Sequence, residues 1–271
     1  MTDKQRLDLL LVERALAESR SKAAAMIMAA EVSVDGRLVD KPGAMVTGDA
    51  CIRLKEKQRF VSRAGHKLDA ALRAFKIDAA GRVCADVGAS TGGFTDCLLQ
   101  AGAARVHAID VGSGILDYGL RKDSRVRLLE RTNARYLDSL GEAVGLAVVD
   151  VSFISLRHVL PQVKRWLLPQ ADVVVLVKPQ FEAGKSDVGK GGIVRDPAVH
   201  RRVLHGIAQY ATSHGFSILG LMRSPITGKK GNAEFLMWLR NGASRASEGE
   251  LLAFIGRLVD SAISLPYTGN R

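Results

Sequence analysis

The chain runs to 271 residues with a net charge of +11, and 47% of its residues are hydrophobic and 25% charged. That length and content suit one packed α/β domain with a small appendage and exclude a disordered chain. With no apolar run near eighteen residues, no secretory pattern in M-T-D-K-Q-R-L-D, and three cysteines (Cys51, Cys84, Cys97) unlike a metal site, the expectation is a cytoplasmic protein with neither metal nor membrane partner. The positive charge favours a polyanion, nucleic acid before membrane, because neutralised phosphates release counterions. A solvated basic surface is the alternative.

From the N-terminus, R-L-D-L-L-L-V-E-R-A-L places apolar residues at helical spacing over 6–16, and Ser19 offers an N-cap for a second helix over 21–30. V-S-V-D-G-R-L-V over 32–39 predicts two short strands about an Asp-Gly turn, with a further strand at 50–54. L-D-L-L-L-V, S-R-S-K-A and V-S-V-D-G resemble the RNA-binding domain named after the fourth small-subunit ribosomal protein. The resemblance implies that Arg20, Lys22 and neighbouring cations, Arg6 among them, meet RNA phosphates. A dimerisation or packing module is the alternative.

Lys55 to Lys76 is a dense basic stretch, with seven cations against Glu56 and Asp69. Its start, K-E-K-Q-R-F, is a polar connector, which divides the expected RNA-binding domain, 1–58, from the main domain, 59–271. Arg59 and Arg63 join the expected RNA contacts. Ser62 begins an amphipathic helix over 61–72. Strands are expected at 83–87, 106–109, 126–130, 146–150, 173–178, 216–222 and 234–239, with helices near 94–100, 156–167 and 198–213. Such alternation predicts an α/β, doubly wound, mostly parallel sheet of Rossmann type. The last two strands lack a long helix between them and are expected antiparallel, with a helix over 249–264 closing the sheet.

The stretch V-C-A-D-V-G-A-S-T-G-G-F, 83–94, reads as a buried strand, a glycine turn and a helix start. Gly88, Gly92 and Gly93 allow positive φ and close backbone approach, and the helix aims its first amides at the same place. It lacks the G-K-[S/T] of a phosphate loop and does not fit G-x-G-x-x-G. Asp86 beside the turn suits a cationic or amino-bearing ligand, of which S-adenosylmethionine is the common one. Asp110, 24 residues further on, ends the next strand where doubly wound folds hold ribose hydroxyls. An ordinary tight βα connection is the alternative. Asp150 and Lys178 each end a run of apolar residues, and Glu234 leaves a glycine-rich loop, so all three fall at predicted strand ends. Charges there need a partner or solvent.

Together with Lys67, these residues form a Lys–Asp–Lys–Glu set that resembles the catalytic tetrad of FtsJ-type RNA ribose 2′-O-methyltransferases. S-R-A-G-H-K-L, D-V-G-A-S-T-G-G-F-T-D, E-R-T-N-A-R, D-V-S-F-I-S-L, V-K-P-Q-F-E-A-G, G-K-G-G-I-V-R-D and S-P-I-T-G-K-K-G-N-A-E-F-L resemble the TlyA (hemolysin A) family over nearly the whole chain. The resemblance implies a catalytic set of Lys67, Asp150, Lys178 and Glu234, with Lys178 as the base. It implies S-adenosylmethionine as cofactor, held by Asp86, Gly88, Ser90, Gly92, Gly93, Phe94 and Asp110, with Asn133 near the adenine. It also implies ribosomal RNA or ribosomal subunits as partner, methylated on cytidines. One departure is D-V-G-S-G-I-L, where Ile115 replaces the family's usual Gln and removes a polar contact. The family's other name suggests a membrane-active hemolysin, and an RNA-binding assembly factor without catalysis is a third reading. The missing span opposes the first and the intact tetrad the second. Whether the chain is a monomer or a weak dimer stays open at this level.

Overall fold

A computed structural model describes residues 4–55, 58–242 and 248–264; Glu56 and Lys57 of the basic stretch lie outside them. The chain forms two compact units, Met1–Arg59 and Phe60–Arg271.

The first unit contains β1 (Lys4–Arg6), α1 (Leu7–Glu13), α2 (Arg20–Met28), β2 (Val32–Val34), β3 (Arg37–Leu38), β4 (Met45–Thr47) and β5 (Ile52–Leu54). Ser19 caps α2 by accepting from the Lys22 amide at 3.2 Å, satisfying one of the helix's orphan donors. Asp35 and Gly36 turn the β2–β3 hairpin with φ of 50° and 78°, as a tight two-residue turn demands. Leu7, Leu11, Ala23, Ile27 and Val32 share one small core. Helix α1 is shorter than its sequence pattern suggests. Arg6 is extended because it pairs with Met45 in a β1–β4 ladder. At the other end Ala15 goes left-handed, and the Leu16 amide folds back to the Leu11 carbonyl at 2.8 Å.

The second unit is built on one sheet. In chain order it has α3 (Arg63–Phe75), β6 (Val83–Val87), α4 (Gly93–Gln100), β7 (Arg105–Ile109), α5 (Tyr118–Lys122), β8 (Val126–Leu129), β9 (Val144–Val149), α6 (Leu160–Lys164), β10 (Leu167–Val177), α7 (Pro179–Glu182), α8 (Pro197–Ser213), β11 (Phe216–Arg223), β12 (Phe235–Asn241) and α9 (Glu248–Ser264). The strand order is β11-β12-β10-β9-β6-β7-β8. β12 alone among these strands runs antiparallel, to both β10 and β11. β6 to β8 spread to one side of β6 and β9 returns on the other, so the topology switches beside β6, where such sheets bind ligands.

Both faces of the sheet are covered, and the strands show why. On β9, Leu146 and Val148 join a core with Leu68 of α3 and Leu98 of α4. Their neighbours Ala147 and Val149 point to the other core, with Leu204 of α8 and Val259 of α9. An alternation of period two thus buries unbroken apolar runs on both sides. One helix was expected over 156–167. The chain instead makes a 3₁₀ turn, Leu156–His158, and restarts as α6 with Pro161 in its first turn, before entering β10 at Leu167. Proline lacks an amide proton and fits only a helix's first turn, which divides the segment there. Among the described residues no helix is long and apolar enough to cross a membrane.

Candidate active site

Strand register brings the expected residues to one end of the sheet. Val87 pairs with Ile109 on one side and with Val149 on the other, so the residues that follow, Gly88, Asp110 and Asp150, emerge side by side. Gly88 takes φ of +87°, and a Cβ there would collide with the Asp150 carbonyl. Only glycine lets the turn pass that closely. The Asp110 carboxylate, partly exposed, accepts the Ser90 amide at 2.8 Å and the Gly112 amide at 2.7 Å. Ser90 itself is exposed, with φ of 51°. Asn133 follows β8, where Thr132 donates to the Asp110 carbonyl at 2.9 Å; its own side chain accepts the Arg135 amide at 3.1 Å. Ile115 is 47% exposed and lies against Gly112.

Four expected cofactor contacts prove to be interior. Asp86 is 0% exposed: Thr95 Oγ1 donates to one carboxylate oxygen at 2.6 Å, and the other has no hydrogen-bond partner among the described residues. Burial pushes its pKa up to about 7, against the Thr95 hydrogen bond and with the charge of Asp150 adding to the rise. Gly92 and Gly93 are small because α5 and α3 press on them: a Cβ would collide with Leu120 at the first and with Ser62 at the second. The Phe94 side chain, 2% exposed, is core. These residues shape the turn from behind, and Gly88, Ser90 and Asp110 present it.

The Lys–Asp–Lys–Glu set is organised as two ion pairs. Lys178 directly follows β10, its Nζ 2.6 Å from Asp150 Oδ1 and donating to Ser152 Oγ at 2.9 Å. Lys67, on α3, places Nζ 2.5 Å from Glu234 Oε2, and both side chains are nearly buried. The β10–β12 ladder sets Val177 opposite Phe235, so its next step puts Lys178 opposite Glu234 and brings the pairs together. Gly228 leaves room for Glu234, since a Cβ there would strike the carboxylate. Buried charges in such pairs each cost several kcal/mol of desolvation, which the partner offsets. Neither pair can be opened cheaply.

The expected RNA contacts lie on surfaces. Lys22, Arg59 and Arg63 are exposed. Arg6 and Arg20 are held by one carboxylate, that of Asp8, which is 2% exposed: Arg6 donates to it at 2.9 and 2.8 Å, and Arg20 Nε at 3.0 Å. These bonds hold the Asp8 carboxyl far below the usual range, the Arg6 bond most strongly, against its burial. Sequence reasoning missed Asp8, Ser152 and Asn232. The Asn232 side chain, 3% exposed, accepts the Val194 amide and donates to the Gly192 carbonyl, both at 2.9 Å, stapling a second glycine loop to the one that delivers Glu234. A short polar residue in a loop carries no periodic signal, although Ser152 follows a strand-end carboxylate by two residues.

Both units of the chain match known families. Residues 60–241 match the FtsJ-like methyltransferase family and residues 5–50 the S4 domain. The 16S/23S rRNA (cytidine-2′-O)-methyltransferase TlyA of Mycobacterium tuberculosis is 47% identical over 91% of this chain and 93% of its own. YqxC of Bacillus subtilis, provisionally named an rRNA methyltransferase, is 48% identical over 87% of this chain and 85% of its own. A solved Streptococcus thermophilus protein, provisionally named a hemolysin, superposes with a TM-score of 0.71 at 41% identity, covering 96% of each chain. The match over most of the chain makes this an FtsJ-like methyltransferase, with an S4 domain preceding it in sequence. Within that class, the chain belongs to the TlyA family.

Proposed function

We propose that this chain methylates the ribose 2′-hydroxyl of cytidines in ribosomal RNA, acting on ribosomal subunits with S-adenosylmethionine as methyl donor. The observation that carries the reading is the pairing of Lys178 with Asp150 and of Lys67 with Glu234 at the strand ends beside the Gly88 turn. The named activity of the Mycobacterium tuberculosis relative supports it. The turn fits the cofactor: Gly88 gives a close backbone approach, and the Asp110 oxygens, each engaged by one amide, keep lone pairs for ribose hydroxyls. Asn133 stands beside it for the adenine, and Ile115 offers an apolar wall. Asp86 keeps the turn in place through Thr95 and α4.

S-adenosylmethionine supplies an electrophilic methyl group on a sulfonium. A ribose hydroxyl is a poor nucleophile until its proton has somewhere to go. Lys178 is the acceptor: the proton passes to Nζ as the oxygen takes the methyl group, and Asp150 neutralises the ammonium formed. Ser152 and Asp150 fix the amine's direction, and such positioning alone supplies up to ~7–11 kcal/mol of barrier lowering in well-oriented reactions. The Lys67–Glu234 pair holds the opposite wall. Arg6, Arg20, Lys22, Arg59 and Arg63 meet phosphates. Mapping ribose methylation across ribosomal RNA from cells with and without the gene tests the reading: cytidine sites absent from the deletion strain are expected, and identical maps would overturn it.

A further inference from the structure

The loop joining β9 to the 3₁₀ turn carries Asp150 and Ser152, the two groups that hold Lys178, yet it has no regular structure of its own. Its middle residue, Phe153, has φ of +63° and is 90% exposed. A bulky non-glycine residue stays in that region only when its surroundings hold it there. Beyond the Lys178–Asp150 ion pair, four contacts tie the loop to the segment 178–182. Lys178 Nζ donates to Ser152 Oγ at 2.9 Å, and the Phe153 and Phe181 rings lie 5.0 Å apart. At the far end Glu182 closes the frame: Oε2 accepts the Ser155 hydroxyl at 2.5 Å and Oε1 the Leu156 amide at 2.8 Å.

Glu182 is an unusual choice for that place. It is partly buried, its bonded partners are neutral donors, and burial raises its pKa against both hydrogen bonds and the charges of Arg157 and His158. A partly buried carboxylate bonded to neutral donors costs desolvation, and an apolar residue would pack more cheaply. What the carboxylate does is span two donors on the loop from a short helix whose first neighbour is Lys178. We infer that Glu182 is a positioning residue for the Lys178 amine: it clamps the strained 151–156 loop and thereby fixes Asp150 and Ser152 against Lys178. The inference rests on the proposed role of Lys178 and goes beyond the Lys–Asp–Lys–Glu set.

The test uses the full chain and three variants, Glu182→Ala, Glu182→Gln and Ser152→Ala. Amide hydrogen exchange over 151–156 is read beside single-turnover methyl transfer to ribosomal RNA. Glu182→Ala should speed loop exchange and cut the rate at saturating S-adenosylmethionine about tenfold or more, with the cofactor's KM within about twofold. Glu182→Gln, which can accept the Leu156 amide and turn its NH₂ to Ser155, should rescue both. Ser152→Ala should lower the rate while loosening the loop less than Glu182→Ala does, and adding it to Glu182→Ala should cost little more, because the two act through one amine. Loop exchange and rate unchanged in Glu182→Ala would overturn the inference. So would a loss confined to melting temperature and cofactor affinity. A wild-type protein transferring no methyl group would overturn the parent reading instead, and the exchange data would still decide the clamp.

Discussion

Lys178 Nζ lies 2.6 Å from Asp150 Oδ1 and donates to Ser152 Oγ at 2.9 Å. To take a ribose proton the amine must be neutral, and its single lone pair, held in direction by those two contacts, would have to face the hydroxyl. Lys67 and Glu234 have less freedom, because Glu234 is 4% exposed and its carboxylate lies 2.5 Å from Lys67 Nζ. Lys67→Met should therefore destabilise the fold by roughly 3–5 kcal/mol in urea unfolding, and the double variant Lys67→Met, Glu234→Leu should recover much of that without recovering activity. Equal stabilities for the single and double variants would contradict a buried pair. Asp86 gives a pH signature. Unfolded, it ionises near 3.9; folded, it holds its proton up to about 7. Between those values the folded form binds the extra proton, so rising pH withdraws stability, and the withdrawal ends above roughly 7. Asp86→Asn cannot show it. The melting midpoint of the wild type relative to Asp86→Asn should fall from pH 4 to pH 7 and then level, whereas parallel curves would contradict the sealed carboxyl.

At the scale of elements, the crossing of β6 and β9 is the joint on which the site turns. Gly88→Ala forces a Cβ onto the Asp150 carbonyl at a positive φ, while Gly114→Ala, at φ +72°, has open space around it. The second variant should cost only the strain of the backbone, about 1 kcal/mol. The first should also lower cofactor affinity and methyl transfer, and calorimetry on both separates collision from strain. This joint was half legible in the sequence. Strand 83–87, the turn and the carboxylate at 110 follow from apolar runs and glycines, because those signals are local. That the glycine faces Asp150, and that Lys178 sits opposite Glu234, depends on pairing between strands up to 62 residues apart (Val87 and Val149), which no local pattern encodes. The short ladder of β1 with β4 was invisible for the same reason. The helix expected over 156–167 failed differently: its apolar spacing is helical, but Pro161 and the early start of β10 override it. Asp86, Gly92, Gly93 and Phe94 belong to the expected turn and lie in its interior, since sequence tells which residues form a turn before it tells which way each one faces.

At the scale of the whole molecule, the S4 match and the FtsJ-like methyltransferase match fall in separate units with separate cores. Removing 1–58 should greatly weaken ribosomal RNA binding and leave cofactor affinity nearly intact. Arg20 spends its Nε on Asp8 and keeps its two terminal nitrogens for a phosphate, so Arg20→Ala should lower the salt slope of RNA binding by about one. An RNA affinity unchanged by the truncation would assign the module another role. The most direct test of Lys178 as acceptor of the ribose proton is single-turnover transfer of labelled methyl from S-adenosylmethionine to ribosomal RNA by the wild type, Lys178→Ala and Lys178→Arg. 2′-O-methylcytidine is expected from the wild type alone, with cofactor and RNA affinities of both variants within about tenfold, because a guanidinium stays protonated and cannot take the proton. A Lys178→Arg enzyme that kept most of the wild-type rate would contradict that role.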